Sequence, residues 1–391
     1  MKAARALLAP TLLLFAVSAH ASDYHFVVIA DFDPSDAEGV VGQSVSINSE
    51  GEVGFLVLRS SPELVDDVYR GAGGPLTPIA AGVDIYSEAG ANSATSIDAE
   101  GAVSFVGNLP PQGPLGLLAG SGASVEALVP ASSMGIHNFV LFRGSDTGFQ
   151  GFVAAANAVF HLYRRELDAS LTPLADEGSG ASDILSLGRY QLGINASGTV
   201  ATFLELGDGS RGIGRSDGDS FGAIVGQSQG FVPQPYVIDI DDAGNVLFLA
   251  TPSTSPLGGG LYLASGGSPA PLVDSSGPFA NFLSGALSAA GDLVFQANLD
   301  SGPSATGGLF TGTDPVADKV IAVGDPLAGS TVSNLNLGDM NDAGQIAFYA
   351  GLADGRDLVV RADPVPEPSA STCAGAALLG LAARFAARRG R

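Results

Sequence analysis

Two serines lie in the Gly-x-Ser-x-Gly pattern that can present a nucleophile for acyl transfer. They are Ser220, within residues 218–222, and Ser228, within residues 226–230. A nucleophile elbow of this type needs a strand before the serine and a helix after it. Neither stretch has that sequence context, and a chain with 54 glycines is expected to contain the pattern by chance. The pattern therefore predicts no catalytic serine.

The histidines offer no alternative chemistry. Beyond the N-terminal segment they are His25, His137 and His161, which are widely spaced along the chain. Histidine ligands of a structural or catalytic zinc site usually occur at short, characteristic spacings, and none is present here. Structural or surface roles are favoured for all three.

Three carboxylates form the best candidate for a metal site. Asp239, Asp241 and Asp242 precede Gly244, and alternating carboxylates of this kind offer the oxygen ligands that Ca²⁺ prefers. The stretch lacks the downstream glutamate of an EF-hand loop. Asp241 and Gly244 also occupy turn positions of a repeated unit, and this turn interpretation is favoured. We therefore predict no cofactor.

The repeated unit organises most of the chain. Its glycines are 46 to 53 residues apart: Gly51, Gly101, Gly148, Gly198, Gly244, Gly291 and Gly344. Three residues before each glycine stands a short polar residue: Asn48, Asp98, Ser145, Asn195, Asp241, Ser288 and Asn341. A phenylalanine follows each glycine by four residues, or by five at Phe203.

Each unit is typical of a β-hairpin. The polar side chain at the first turn position can accept a hydrogen bond from the backbone two residues on. Glycine at the fourth position adopts positive φ without a Cβ clash, as a type I turn followed by a bulge requires. The next strand then alternates, with Val53, Phe55 and Val57 on one face in the first copy.

A second hairpin separates successive units, so each period contains about four short strands. A period of roughly 40–50 residues with four strands predicts an all-β fold, a seven-bladed β-propeller built from seven repeats. Residues 24–29 and 357–361 are incomplete half-units, and pairing them would close the ring and remove an exposed edge. Residues 154–167 fit either a short helix or a pair of strands.

The seventh copy carries a family resemblance. Asn341, Gly344, Ala347 and Phe348 match the pattern of the NxxGxxAF tandem-repeat proteins of bacteria, and other copies match in part. The resemblance covers about residues 24–363. It implies a surface-exposed β protein with no assigned catalytic residues.

Composition excludes one class of partner. The formal net charge is −23, from 17 Lys+Arg and 40 Asp+Glu. A chain this acidic is not expected to bind a nucleic-acid backbone. Its one cysteine, Cys373, permits no disulfide within the chain.

The first 21 residues are typical of a secretory signal peptide. Lys2 and Arg5 precede an apolar run over residues 7–17, and Ala19-His20-Ala21 fits the cleavage pattern. Residues 22–363 then form the predicted repeat domain.

Residues 364–391 differ from the repeats. Pro366-Glu367-Pro368 precedes an apolar run over residues 374–383 and a basic end. This order resembles the PEP-CTERM sorting signal, with a hydrophobic sorting helix. The resemblance implies recognition by a membrane exosortase and transient insertion in the inner membrane of a Gram-negative bacterium that makes exopolysaccharide.

These observations predict an exported protein of the cell surface or extracellular matrix. Its expected role is non-catalytic, binding exopolysaccharide or surface proteins, and it is predicted not to be an enzyme. Two alternatives remain open: a propeller-type glycan hydrolase or lyase, and a purely structural matrix component without a defined ligand.

Overall fold

The computed structural model describes residues 24–365, except 34–40, 60–64, 84–94, 109–114, 123, 131–135, 157–158, 179–183, 254–258 and 301–306. The predicted signal peptide and sorting helix lie outside the described residues. Within those residues, no helix has the length and apolar character needed to cross a membrane.

The described chain consists of short strands in seven sheets. Blade 1 contains β2 (Val41–Ile47), β3 (Val53–Arg59), β4 (Val65–Gly71) and β5 (Thr77–Val83). Blade 2 contains β6 (Thr95–Ile97), β7 (Val103–Asn108), β8 (Leu115–Gly120) and β9 (Val125–Pro130). Blade 3 contains β10 (Ile136–Gly144), β11 (Gln150–Ala156), β12 (Val159–Arg165) and β13 (Leu171–Asp176). Blade 4 contains β14 (Ile184–Ile194), β15 (Val200–Leu206), β16 (Arg211–Ser216) and β17 (Phe221–Gly226).

The remaining blades follow the same plan. Blade 5 contains β18 (Phe231–Ile240), β19 (Val246–Pro252), β20 (Gly260–Ala264) and β21 (Ala270–Asp274). Blade 6 contains β22 (Phe279–Leu287), β23 (Leu293–Leu299), β24 (Gly307–Phe310) and β25 (Lys319–Ala322). Blade 7 contains β27 (Ser330–Met340), β28 (Ile346–Leu352), β29 (Asp357–Pro364) and the N-terminal β1 (Tyr24–Phe32), with β26 (Pro326–Leu327) beside β27.

The seven sheets form the predicted seven-bladed β-propeller. The first strand of each blade contacts the first strand of the next, and β27 of blade 7 contacts β2 of blade 1. These first strands therefore form the inner ring around the axis. Of residues 154–167, those at 154–156 lie in β11 and those at 159–165 in β12, which decides between the two predicted alternatives in favour of strands.

Blade 7 closes the ring with strands from both ends of the chain. β1 pairs antiparallel with β29, with Tyr24 opposite Pro364, Val28 opposite Val360 and Phe32 opposite Asp357. The predicted pairing of residues 24–29 with residues 357–361 is therefore present. Because β1 covers the edge of β29, the sheet ends in an outer strand like those of the other blades.

The repeated phenylalanines form the core between blades. Phe55, Phe105, Phe152, Phe248, Phe295 and Phe348 are each at most 1% exposed, and Phe203 is 5% exposed. Full burial of such a side chain contributes roughly 1.5–3 kcal/mol. The core clusters join adjacent sheets; one of them contains Val294 of blade 6 together with Phe348 of blade 7. Each repeat of the sequence therefore contributes one phenylalanine to the core between the blades.

The turns joining first and second strands share one geometry. The seven repeat glycines have φ between 72° and 93°, and each donates its N–H to the carbonyl of the polar residue three before it. The side chain of that polar residue accepts from the backbone N–H four residues on, for example Glu52 N to Asn48 Oδ1 at 2.8 Å. The bond from two residues on, which the sequence predicts, is present at Asn195 and Asn341. The bulge after the glycine brings the fourth N–H within reach.

Gly344→Val is expected to destabilise the fold. Gly344 has φ of 72°, and a β-branched residue in this left-handed region stores strain of about 1–3 kcal/mol. Gly74→Val is the matched control, because φ of Gly74 lies outside this region and its added β-carbon meets open space. Chemical denaturation should show a lower midpoint for Gly344→Val alone; equal midpoints would contradict the strain argument.

Candidate functional site

Both chain termini of the propeller lie on one face of the ring. This turn face, as we call it, carries the turns between first and second strands and those between third and fourth strands. Gln345 of the seventh turn donates to Asp363 at 2.8 Å, and Asp363 is next to Pro364 at the end of β29. Tyr24 pairs with Pro364, so β1 begins on the same face.

Asparagine at the first turn position links neighbouring blades. Its side-chain amide donates to the carbonyl of the equivalent residue in the next blade: Asn48 to Asp98 at 2.8 Å, Asn195 to Asp241 at 2.9 Å, and Asn341 to Asn48 at 2.9 Å. Asn341 therefore connects blade 7 to blade 1 across the closure. The asparagine amide thus supplies both the acceptor for its own turn and this donor to the next blade.

Aspartate at the second turn position makes a related contact. Asp242 accepts from Ala196 N of the preceding blade at 3.0 Å, and Asp342 accepts from Ala289 N at 2.7 Å. The two carboxylates thus have the same structural role at two different blade interfaces. This equivalence makes them a matched pair for mutagenesis.

An ion pair crosses the axis of the ring. Arg143 Nη2 lies 2.5 Å from Asp339 Oδ2, and their side chains are 26% and 13% exposed. Arg143 is in blade 3 and Asp339 in blade 7, which are three blades apart by the shorter path. A contact between inner strands of non-adjacent blades must span the centre of the ring.

Two further carboxylates surround this pair. Burial lowers the pKa of the Arg143 guanidinium, but the charges of Asp339 and Asp239 outweigh burial and raise it. Burial raises the pKa of Asp239, opposed by the charge of Arg143. Burial likewise raises the pKa of Asp146 to about 6, opposed by its hydrogen bond with Ser49. We call Arg143, Asp146, Asp239 and Asp339 the axial cluster.

A polar pocket opens on the turn face between blades 4 and 5. Its volume is about 380 Å³. It lies between the two turns at residues 195–199 and 242–244 and the hairpin of β16 and β17. The lining consists mainly of hydroxyl, carboxylate and glycine positions: Asn195, Ser197, Thr199, Arg215, Ser216, Asp217, Ser220, Gly222, Ala223, Ile224, Asp242, Ala243 and Gly244.

The structure places the two Gly-x-Ser-x-Gly serines in different settings. Ser220 lies in the turn between β16 and β17 and lines the pocket. Ser228 lies in a one-turn 3₁₀ helix, Gln227–Gln229, directly after β17. Ser220 is followed by a strand, so it lacks the strand-to-helix turn of a nucleophile elbow.

His25 and His161 lie on the fourth and third strands of their blades, away from the pocket and the axis. His161 in β12 contacts Asp176 in β13, with Nδ1 and Oδ1 2.6 Å apart, and its ring centroid lies 5.8 Å from that of Tyr163. His25 is exposed on the outer strand β1. His137 lies in β10, and its side chain is outside the described part of the structure.

The three candidate calcium ligands point to separate partners. Asp239 accepts from Ile240 N and from Leu287 N of blade 6. Asp241 accepts from Asn245 N and Asn245 Nδ2, both at 2.7 Å. Within the described ranges, no group of three or more metal-ligating side chains is present. Asp241 acts as the turn residue that its repeat position indicates.

Comparison with known proteins supports the fold. No protein-family model matches the chain, and no curated protein matches its sequence. An oligogalacturonate lyase in complex with manganese aligns over 88% of this chain and 99% of its own, with 12% identity and a TM-score of 0.52. The polysaccharide lyase Uly1 aligns over 87% and 100%, with 8% identity and a TM-score of 0.50. The Pyrococcus horikoshii acylaminoacyl peptidase aligns over 82% and 51%, with 8% identity and a TM-score of 0.53.

These structures are similar to the chain in fold alone, because the identities are very low. The site residues must therefore be judged from their own geometry. Sequence reasoning found Ser220 and Asp242 separately but missed the pocket that contains both. It also missed Arg143, although Arg143, Asp239 and Asp339 share one repeat position, two residues before the turn.

Proposed function

We propose that this chain is an exported, non-catalytic binding protein of the bacterial cell surface or matrix. Its ligand is hydroxyl-rich, as a sugar unit of an exopolysaccharide is, and binds in the polar pocket on the turn face. The propeller acts as a rigid frame that holds the two turns and the hairpin lining this pocket. The family resemblance of the repeats is consistent with this role.

The polar pocket carries the proposal. Ligand sites in proteins commonly have volumes of about 300–1,000 Å³, and this pocket falls in that range. The hydroxyls of Ser197 and Thr199 lie 3.2 Å apart, within hydrogen-bonding distance, and Ser220 is exposed in the hairpin of β16 and β17. Hydroxyls both donate and accept hydrogen bonds, so these groups match the hydroxyls of a sugar.

The geometry favours binding over catalysis at this pocket. Hydrolysis by Ser220 would need a general base within hydrogen-bonding reach. The described lining contains no histidine that could serve as this base. The lining is thus suited to hold a ligand without activating a nucleophile.

Filling the pocket is expected to abolish ligand binding. Gly222 lines the pocket, its φ is outside the left-handed region, and its added β-carbon meets open space. Gly222→Phe should therefore place a ring in the pocket without backbone strain. Wild-type protein should bind specific glycans on an array, and Gly222→Phe should lose at least about tenfold in affinity, or 1.4 kcal/mol.

Gly74→Phe is the control for this variant, since Gly74 also has open space around its added β-carbon but lies in blade 1. Unchanged glycan binding by Gly222→Phe would show that the ligand binds outside the polar pocket. Absence of any glycan ligand would favour the alternative of a purely structural matrix component.

A glycan lyase is the second candidate, because two solved structures with this fold are named as lyases, one for oligogalacturonate and one for a polysaccharide. Incubating the wild-type protein with a panel of polysaccharides, with and without Mn²⁺, would test this. Time-dependent release of unsaturated oligosaccharides would replace the binding role with an enzymatic one.

Export through a signal peptide and a sorting tail completes the proposal. The apolar run at residues 374–383 is shorter than the roughly 20 residues of a membrane span, and Arg384 follows it directly. A charge near mid-membrane costs about 2.5–3.5 kcal/mol on insertion scales. These features suit a segment that is held at the inner membrane briefly, recognised by an exosortase and removed.

The mature extracellular protein is therefore expected to lack the residues that follow the Pro-Glu-Pro motif. Alanine replacement of Pro366, Glu367 and Pro368 should leave uncleaved protein in the inner membrane. Alanine replacement of Ser369, Ser371 and Thr372 is the matched control. Intact-mass spectrometry of the surface fraction provides the readout, and a mass that includes residues 384–391 would indicate a retained anchor instead.

A further inference from the structure

The charges of the polar pocket narrow the chemical class of its ligand. We infer that the pocket selects a cationic sugar, a hexosamine unit with a free amino group, over the N-acetylated and anionic sugars of the same size. The inference rests on the proposed binding function of this pocket and adds the ligand's charge.

Two carboxylates and one guanidinium line the pocket. Asp217 and Asp242 are both exposed, so an incoming ligand can reach them. Asp242 accepts from Ala196 N through Oδ1, and its Oδ2 is the oxygen left for a ligand. The backbone N–H of Asp219 lowers the pKa of Asp217, so this carboxylate stays ionised near neutral pH.

The arginines at this interface have other partners. Arg215 Nη1 donates to the Gly244 carbonyl, which fixes the guanidinium against the turn of blade 5. Arg164 lies next to the pocket and donates to the carbonyls of Gly198 and Asp217. It also forms an ion pair with Glu166 at 2.8 Å, which offsets its charge.

The electrostatic field of the pocket lining favours binding of a cation. One arginine and two aspartates leave the lining with an excess negative charge, and the whole chain has a net charge of −23. Such a surface concentrates cations and repels a polyanion. An ammonium group can bind the carboxylates while the ring hydroxyls bind Ser197, Thr199 and Ser220.

The fold provides a matched control for the carboxylate. Asp342 accepts from Ala289 N in the same way as Asp242 accepts from Ala196 N, but Asp342 does not line the pocket. Asn at either position keeps a side-chain oxygen to accept this bond. Asp242→Asn and Asp342→Asn therefore remove one charge each from equivalent turns, and only one of them changes the pocket.

Calorimetric titration with glucosamine oligomers tests the inference. Oligomers with free amino groups should bind the wild-type protein about fivefold or more tightly than N-acetylated oligomers of equal length, the scale of one partly exposed ion pair. Added salt should reduce this preference. Asp242→Asn should abolish the preference, whereas Asp342→Asn should retain it.

Other results would overturn the inference separately from the proposed function. Equal or tighter binding of the N-acetylated oligomers, lost in Gly222→Phe, would refute charge selection and leave the pocket as a sugar site. An equal loss of the preference for free amino groups in Asp242→Asn and Asp342→Asn would also refute the inference, because the effect would then be structural. Failure of both oligomers and of the whole glycan array to bind would refute the proposed function itself.

Discussion

A propeller without residues 22–32 is expected to lose its cooperative fold and to associate through an open edge. The deletion removes β1, the outer strand of blade 7, and uncovers the full length of β29. Unpaired edge strands recruit other edges, which leads to aggregation. Size-exclusion chromatography and thermal unfolding of the truncated domain should show oligomers and a greatly lowered melting temperature.

The packing of β1 explains the size of this effect. Ile29 and Ala30 are at most 6% exposed, and Phe26 contacts Phe348 edge-on, with ring centroids 6.2 Å apart. Truncating one large core residue already costs about 2–5 kcal/mol, and the deletion removes several contacts together. The loss is therefore comparable to the whole stability of an ordinary domain, about 5–15 kcal/mol.

Substitutions at a buried and at an exposed position of β1 separate packing from strand loss. Ile29→Asp places a carboxylate in the core and should reproduce much of the destabilisation, whereas His25 is exposed near the start of β1, so His25→Asp should be nearly neutral. A synthetic peptide of residues 22–33, added to the truncated domain, should restore part of the melting temperature. A truncated domain that melts like the complete one would disprove closure by β1.

Replacing Arg143 by methionine is expected to cost about 3 kcal/mol, because removing one partner of a largely buried ion pair leaves the other charge uncompensated. The remaining groups of the axial cluster are then three carboxylates and no cation. Lys319→Met is the control, since Lys319 pairs with Asp325 at 2.9 Å and the two side chains are 37% and 30% exposed. Ion pairs with access to solvent contribute about 0–1 kcal/mol. Denaturant unfolding of both variants provides the comparison.

The pH dependence of this variant gives an independent test. The pKa of Asp146 is about 6 in the folded protein, above the ordinary value of 3.8, so the folded state binds this proton more tightly than the unfolded state. Lowering the pH through 6 therefore stabilises the fold, and this stabilisation is lost as the pH rises. Burial also raises the pKa of Asp239, and the positive charge of Arg143 opposes that rise.

Without Arg143, the carboxylates of Asp146 and Asp239 should hold their protons more strongly. The free energy of unfolding of Arg143→Met should therefore rise more on acidification than that of the wild-type protein. Asp339→Asn added to Arg143→Met should also recover part of the loss, because it removes one of the repelling charges. Equal destabilisation by Arg143→Met at pH 5 and pH 8, with no recovery in the double variant, would contradict the electrostatic account.

The architecture of this protein could be predicted from local patterns in its sequence. The seven glycines, their polar partners and the phenylalanines recur with the period of one blade, and each feature acts locally. A glycine meets the φ of its own turn, and Phe348 alternates into the face of its own strand. Ring closure was also predictable, because the half-units at residues 24–29 and 357–361 are complementary fragments of one blade.

The side-chain contacts between blades could not be predicted in this way, because they depend on how the sheets stack. Asn48 and Asp98 are separated by one period, and their contact depends on how two sheets stack. Arg143 and Asp339 are 196 residues apart, and they meet only because the closed ring brings blades 3 and 7 to opposite sides of a narrow axis. Likewise, Ser220 and Asp242 line one pocket because a hairpin of blade 4 lies beside a turn of blade 5. Local patterns determine which strands and turns form, whereas such contacts depend on the stacking and closure of all seven sheets.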